Sequence, residues 1–269
     1  MSTAETHDAS NVVSDVLLGA GLVVGGTLLL LILVGVVAVA FGFLVAPRVG
    51  RPLAYTGRLG VLEALMRPFA KLVHRAEYRG FHAGILPQGG FVLVANHGSG
   101  LDAPLMQCAV HRPVRFMMAA DQMSPAFKRL WKGLDVLPVH YGPQDSTTLK
   151  LAVKHVRDGG IVGIFPERGI VEQPGTIEPF AEGVGALVAL AKVPVVLLWI
   201  HGPGTTGNAL IDPLVPRGKA VVELVGVFDL AREGVREPAE VCKRLRHALA
   251  KKSGWPMVDP EPVGGVGVG

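Results

Sequence analysis

The chain has 269 residues, of which 49% are hydrophobic and 6% aromatic, and its formal net charge is +4. This apolar content suffices for a buried core, and the basic balance favours an anionic partner, either phospholipid headgroups or nucleic acid. Nucleic-acid binding is the poorer match, because the few aromatic residues do not interleave with a basic stripe.

Residues 16–47 are predicted to form a transmembrane helix that follows an N-terminal tail, residues 1–15. No Asp, Glu, Lys or Arg occurs between Asp15 and Arg48, and about 20 apolar residues suffice to cross a bilayer. A cleavable signal peptide is disfavoured because the tail is acidic, and a buried core helix is the remaining alternative. Lys and Arg follow the segment but none precedes it, which predicts a single-pass membrane protein whose C-terminal domain faces the cytoplasm.

Residues 48–77 are predicted to form an amphipathic region at the membrane surface, with a helical pattern that runs from Gly60 to Gly80. Apolar residues recur there at helical spacing and basic residues lie between them, as in a helix that lies in the interface. An ordinary helix that packs on the core through the same stripe is the alternative. The apolar face comprises Leu62, Leu65, Met66, Phe69, Leu72 and Val73, and the interleaved basic residues are Arg67, Lys71 and Arg75.

Residues 78–254 are predicted to form an α/β domain with a central, mostly buried mixed sheet flanked by helices. Short β-branched or apolar runs alternate there with helical patterns. The predicted strands are Phe91 to Ala95, Arg115 to Ala119, Val136 to Val139, Ile161 to Phe165, Val195 to Ile200 and Val221 to Val227. The predicted helices are Leu101 to Val110, Pro125 to Leu134, Ser146 to Arg157, Gly183 to Lys192 and Pro238 to Lys252. Residues 255–269 are rich in Pro and Gly and are predicted to be disordered.

The stretch FVLVANHGSGLDAPL, from Phe91 to Leu105, joins a predicted strand to a predicted helix and brings His97 near Asp102. A histidine is the usual general base for removing a proton from an alcohol, and a carboxylate on its other nitrogen fixes the tautomer. This is the histidine and orienting half of a catalytic triad, and a substrate hydroxyl would replace the protein nucleophile. The plainer interpretation is a turn histidine and an aspartate that complements the helix dipole.

A second cluster of chemistry-bearing residues occurs in IVGIFPERGIVEQPG, where a buried-type strand ends in Phe165, Pro166, Glu167, Arg168 and Gly169. A strand that opens with Val193 and Pro194 follows. The order NH with four residues to Asp, then FPE, then Val-Pro resembles the glycerolipid acyltransferase superfamily, whose best-known members are the lysophosphatidic acid acyltransferases. The resemblance covers about residues 78–230.

The resemblance implies a membrane-anchored O-acyltransferase of phospholipid biosynthesis or remodelling. Such an enzyme transfers a fatty acyl group from acyl-CoA or acyl carrier protein to the hydroxyl of a lysophospholipid-like acceptor, with no metal and no bound cofactor. His97 would be the general base and Asp102 its orienting partner. The acceptor-binding residues implied in this way are Gly98, Ser99, Pro166, Glu167, Arg168 and Gly169.

The chain departs from the family pattern at two motifs. The second motif usually ends in an arginine that holds the acceptor phosphate, but this sequence has His140 and Tyr141 there, and His140 is a candidate acceptor-binding residue. The third motif reads FPERG, so Arg168 is either a replacement phosphate ligand, since guanidinium suits phosphate, or a surface residue of a shifted loop. Arg115, at a predicted strand start, is a further candidate for headgroup binding.

Two other functions remain open from the sequence. The altered second and third motifs suggest a non-catalytic lipid-binding or scaffold protein that retains the fold. The residues HGSG, from His97 to Gly100, superficially suggest a serine hydrolase with Ser99 as nucleophile. The required Gly-x-Ser-x-Gly elbow is absent from this stretch, which disfavours the hydrolase. The cysteines, Cys108 and Cys242, and the nine histidines show no metal-ligand spacing.

Overall fold

The structure is a computed structural model that divides into two compact units, Met1–Pro52 and Leu53–Gly269. It describes residues 25–27, 29, 32–33, 35–36, 54–55, 57–140, 145–167, 169–170, 175–209, 211–215 and 218–258.

The described residues of the first unit, between positions 25 and 36, are helical. Their large apolar side chains, Leu29, Ile32, Leu33 and Val36, are exposed. Within the described ranges, none of the helices has the length and apolar character that a membrane span requires. Most of residues 16–47 and all of the tail 1–15 lie outside the described residues, so the transmembrane segment stays a prediction.

The second unit contains a mixed sheet of seven strands in the order β1-β7-β6-β2-β5-β3-β4 over the described residues. Every neighbouring pair is parallel except β6 with β7. The strands are β1 (Glu77–Arg79), β2 (Phe91–Ala95), β3 (Val114–Ala119), β4 (Leu137–Val139), β5 (Ile161–Ile164), β6 (Val195–His201) and β7 (Val221–Phe228).

Helices cover both faces of this sheet. The α-helices of the second unit are α1 (Gly57–Leu72), α2 (Asp102–Ala109), α3 (Lys128–Gly133), α4 (Asp145–Arg157), α5 (Glu182–Ala191) and α6 (Pro238–Ser253). Short 3-10 turns occupy Ala120–Gln122, Pro125–Phe127 and Asp212–Leu214.

Strand β2 lies at the centre and is buried along its whole length. Val92 and Val94 point into one apolar layer, which Leu187 of α5 and Leu245 of α6 share. The alternate residues, Leu93 among them, point into the layer formed with α2. A parallel strand with both faces covered has a continuous apolar sequence, which is why FVLVA predicts this strand with the correct ends.

Three predictions differ from the structure by more than one residue at a boundary. The helical pattern from Gly60 to Gly80 ends as a helix at Leu72, and Glu77–Arg79 forms the edge strand β1. The helix predicted from Pro125 begins with a 3-10 turn and becomes α-helical only at Lys128. Residues 256–258 are ordered against Ile177 by two backbone hydrogen bonds, so the tail predicted from 255 starts too early.

The amphipathic helix α1 contains Pro68 and packs partly on the domain, because Ala64 and Ala70 are buried while Leu62 and Leu72 are exposed. The core-packing interpretation therefore holds for part of the helix, and contact of its exposed leucines with a membrane stays a prediction. The buried Glu63 accepts hydrogen bonds from the backbone amides of residues 54 and 55 and pairs with Arg67 at 2.6 Å.

Candidate active site

The carboxylate of Asp102 holds the turn that follows β2. Asp102 is the first residue of α2 and is almost completely buried, with 1% of its side chain exposed. Its Oδ2 accepts hydrogen bonds from the amides of Gly98 and Ser99, each at 2.8 Å, and lies 3.1 Å from His97 Nδ1. One carboxylate oxygen therefore orients both the turn and the imidazole, as the spacing of His97 and Asp102 predicts.

The ring of His97 is fixed on one face and accessible at its far edge. It stacks on the ring of Phe165, with centroids 4.0 Å apart and planes inclined by 13°. The side chain is 19% exposed, and Nε2 makes no hydrogen bond to a described residue. With Nδ1 donating to a carboxylate, Nε2 carries the free lone pair, so the ring is arranged to accept a proton there.

Glu167 connects the FPE segment to this turn. Its Oε2 accepts the amide of His97 at 2.8 Å, and its side chain is buried. The pKa of Glu167 is raised to about 8, mainly by burial and in part by the nearby carboxylates of Glu178 and Asp102, while the hydrogen bond from His97 N acts in the opposite direction. The carboxyl group is therefore largely protonated at neutral pH.

Asn96 attaches the end of β2 to β6, a role that the sequence analysis missed. Its Nδ2 donates to the carbonyl of Ile200 at 2.7 Å, and its Oδ1 accepts the amide of Ile200 at 2.8 Å. The side chain imitates one more ladder pair just past the strand end. The sequence signal that could have indicated this role is an asparagine directly before His97.

Ser99 is fully buried and belongs to the scaffold of the turn. Its hydroxyl lies 3.3 Å from the carbonyl oxygen of Gly204 and 3.3 Å from a carboxylate oxygen of Asp212, and it accepts the amide of Leu101. Asp212, which the sequence analysis also missed, accepts the amide of Gly100 at 3.0 Å. This arrangement leaves the Ser99 hydroxyl unavailable as a nucleophile.

Arg115 lies at the opposite end of the sheet from His97. It is aligned through Val162 with Val92, five residues before His97, which corresponds to about 16 Å along the strand. Its guanidinium is also paired with Asp135, at 2.9 Å. Arg115 and His97 are therefore not brought together, contrary to what the sequence analysis proposed for Arg115.

The other predicted acceptor residues are spread along the carboxyl edge of the sheet. His140 follows β4 at this edge, but β5 and β3 separate β4 from β2, a lateral distance of about 14 Å. Pro166 is buried, with its carbonyl accepting the amide of Ala181, and Gly169 is exposed. A methyl group added at Gly98 would meet no described atom within 4 Å. Arg168 and Tyr141 lie outside the described residues.

Comparisons with known proteins agree with this arrangement. The family model Acyltransferase matches residues 76–201, which include His97, Asp102 and Glu167. The crystal structure of the 1-acyl-sn-glycerophosphate (LPA) acyltransferase PlsC from Thermotoga maritima is similar in fold, with a TM-score of 0.56 and 18% identity over 82% of this chain and 88% of that chain. A search of curated proteins gives no significant match. Residues 76–201 therefore match the Acyltransferase family, in agreement with the resemblance of the sequence motifs to the glycerolipid acyltransferase superfamily.

Proposed function

We propose that the protein transfers a fatty acyl group from an acyl thioester, either acyl-CoA or acyl carrier protein, to the hydroxyl of a lysophospholipid-like acceptor in phospholipid biosynthesis or remodelling. The observation that carries this proposal is the 3.1 Å contact between His97 Nδ1 and Asp102 Oδ2, with the other ring nitrogen directed to accessible space. A base without a protein nucleophile suits a reaction in which the substrate supplies the attacking hydroxyl.

The reaction requires one proton to move twice. As the acceptor oxygen attacks the thioester carbonyl carbon, His97 Nε2 takes the hydroxyl proton, and the imidazolium is stabilised by the Asp102 carboxylate. The tetrahedral intermediate then collapses, the carbon–sulfur bond breaks, and the departing thiolate takes the proton from His97. The products are the ester and the free thiol, and the base is restored.

Gly98 and Gly169 each leave open space where a side chain would be, which supports their proposed place in the acceptor site. Glu167 holds the backbone of His97 through a neutral carboxyl group. Keeping this group uncharged is favourable beside an anionic acceptor, because it adds no repulsion. Arg168 follows Glu167 directly in the chain, which supports a role in headgroup binding, and the ion pair with Asp135 argues against that role for Arg115.

We further propose that the domain is anchored to a membrane, with the site on the cytoplasmic side. The uncharged stretch 16–47 and the exposed apolar side chains of Leu29, Ile32, Leu33 and Val36 support an anchor. The basic residues that follow it support the orientation. Exposed Leu62 and Leu72 on α1, next to exposed Lys71, support contact of this helix with anionic lipid.

A non-catalytic lipid-binding protein with the same fold is the second candidate, because the phosphate-binding arginine of the second motif is replaced. The oriented His97 argues for activity, since a binding protein has no need of a buried carboxylate fixing an imidazole tautomer. The Ser99 hydrolase is disfavoured, because the Ser99 hydroxyl is buried and bonded to Gly204 and Asp212.

These functions can be tested with membranes that carry the full chain. The membranes are supplied with labelled acyl-CoA or acyl carrier protein thioester and with a panel of lysophospholipid and non-phosphate acceptors. We expect label in a diacyl product with the wild-type chain and none with His97→Ala. His247→Ala serves as the matched control, because His247 is exposed on α6 and bonds only its own helix at Lys243 O. Equal incorporation by the wild type and His97→Ala would overturn the proposal, and free fatty acid released only with intact Ser99 would favour the hydrolase.

A further inference from the structure

A second buried carboxylate, Asp212, contacts the catalytic turn next to the two amides that Asp102 binds. Its side chain is 2% exposed. Its Oδ2 accepts from Gly100 N at 3.0 Å and Thr205 Oγ1 at 3.1 Å and lies 3.3 Å from Ser99 Oγ. Its Oδ1 accepts from the amide and the hydroxyl of Thr206, at 2.6 and 2.8 Å. Each oxygen therefore faces at least one backbone N–H, a donor that cannot reverse its direction.

Asp212 belongs to a loop that follows β6 and is anchored at two further points. His74, itself buried at the end of α1, contacts the carbonyl oxygen of Pro213 through Nε2 at 2.8 Å. The carbonyl of Ala209 lies so close to Gly100 that an added methyl carbon would come within 1.9 Å of its oxygen. The loop is thus packed against the turn without space for a side chain between them.

The turn from His97 to Gly100 is consequently held by two carboxylates. Asp102 receives the amides of Gly98 and Ser99, and Asp212 receives the amide of Gly100 and contacts the hydroxyl of Ser99. In a turn this short, a change in the direction of the Gly100 amide rotates the two amides before it. Those amides determine where Asp102 Oδ2 lies relative to His97 Nδ1.

We propose that Asp212 is a positioning residue, which fixes the turn from Ser99 to Gly100 and through it the hydrogen bond between His97 and Asp102. This inference rests on the proposed function of His97 as the base. Burial raises the pKa of Asp212, but the hydrogen bonds from Gly100 and the two threonines lower it by a larger amount. The net shift is downward, so the group is anionic. A charged acceptor is the form that satisfies all of these donors.

Asp212→Asn is the most direct test, because the side chain keeps its size but has only one oxygen. Its NH2 group must oppose the N–H of either Gly100 or Thr206. We expect kcat to fall about 10-fold or more, because misplacing a catalytic group by a fraction of an ångström slows the chemical step. The KM for the acyl donor should change less than about twofold, because uniform binding is not altered.

The tautomer of His97 is the second readout, and it does not require turnover. In the full-length chain in lipid nanodiscs with 15N-labelled histidine, the His97 signals are assigned by their loss in His97→Asn. We expect two well-separated ring nitrogen shifts in the wild type, as for a fixed Nδ1–H tautomer. In Asp212→Asn the two shifts should move toward each other, and in Asp102→Asn they should do so further.

Asp229→Asn is the matched control. Asp229 also bonds a backbone amide, that of Arg232, but it lies in the turn after β7. Both readouts should stay at wild-type values. If Asp212→Asn does not fold, Ser99→Ala removes the hydroxyl that contacts Asp212 and Gly204 and accepts the Leu101 amide, and it should give a smaller change of the same kind.

Folded Asp212→Asn with wild-type kcat and wild-type His97 shifts would overturn the inference, as would Ser99→Ala with unchanged shifts if Asp212→Asn is unfolded. A lower melting temperature with unchanged kcat and shifts would assign Asp212 to stability alone and also overturn it. If the wild-type chain shows no His97-dependent transfer, the proposed function fails, whereas the nitrogen shifts still decide the role of Asp212.

Discussion

The imidazole of His97 lies almost parallel to the phenyl ring of Phe165, with 4.0 Å between the ring centroids. Phe165 stands at the end of β5, the strand next to β2, so the sheet itself brings the two rings together. Phe116 of β3 stacks behind Phe165 at 6.5 Å. The base is therefore held by an aromatic face as well as by the Asp102 carboxylate.

Phe165→Leu removes this aromatic face while keeping an apolar side chain of similar size. We expect kcat to fall about 10-fold, because the ring of His97 gains freedom to rotate away from its productive orientation. The melting temperature should fall by only a few degrees. Steady-state kinetics and thermal unfolding measure both. Phe116→Leu is the matched control, since Phe116 contacts Phe165 and has no ring contact with His97, and an equal loss of kcat in the two variants would contradict a specific role of the stacked pair.

Asp102→Asn tests the orienting carboxylate. Oδ2 of Asp102 receives two amides and His97 Nδ1, so an asparagine that keeps its oxygen toward the amides offers the imidazole no negative charge. We expect kcat to fall by roughly 10⁴-fold, the scale on which replacing the orienting aspartate by asparagine acts in hydrolase triads. The labelled-product assay measures this loss. A variant that folds and retains more than a tenth of wild-type kcat would show that His97 does not depend on Asp102.

Much of this site follows from local sequence, because its parts are neighbours in the chain or lie at the ends of adjacent strands. FVLVANHGSGLD indicates the buried strand, the turn and the acid that starts the helix, and FPE marks the end of β5. Asp212 could not be found in this way. It lies 113 residues from Ser99 and acts through backbone amides, which leave no pattern of residue types. The placement of Arg115 failed for a related reason, since a strand start lies at the opposite sheet edge from the chemistry in a parallel arrangement.

Glu167→Gln tests the neutral state of the buried carboxyl group through its effect on stability. The pKa of Glu167 is raised from 4.5 to about 8 on folding, so the unfolded chain binds fewer protons at this group between those values. Stability contributed by the protonated group is therefore fully present below about pH 4.5 and is lost as the pH rises to about 8. Glutamine mimics the protonated form and does not titrate.

We expect Glu167→Gln to gain stability relative to the wild type as the pH rises from 5 to 8, by about 2 kcal/mol or more at pH 8. Denaturant unfolding of the two proteins at several pH values measures the difference. Glu182→Gln is the control, because Glu182 is an exposed residue of α5. A stability difference between Glu167→Gln and the wild type that stays constant from pH 5 to 8 would mean that the folded protein carries Glu167 ionised.

Alanine should destabilise the fold at one of the two glycines that flank Ser99 and leave its stability nearly unchanged at the other. At Gly100 the added methyl carbon would lie 1.9 Å from the carbonyl oxygen of Ala209, so either the turn or the loop must shift. At Gly98 it would meet no described atom within 4 Å, and the backbone there is not in the left-handed region. We expect Gly100→Ala to lower the unfolding free energy by about 2 kcal/mol or more, and Gly98→Ala to change it by less than about 0.5 kcal/mol.

Gly98→Ala should instead affect binding, because its methyl group would occupy space next to His97 that we assign to the acceptor. We expect the KM for the acceptor to rise about 10-fold while the KM for the acyl donor changes little, since one added carbon in a close-fitting site costs about 1 to 3 kcal/mol. Kinetics with each substrate varied in turn separate the two effects. If the donor KM rises and the acceptor KM does not, the open space beside Gly98 holds the acyl thioester, which would contradict its assignment to the acceptor.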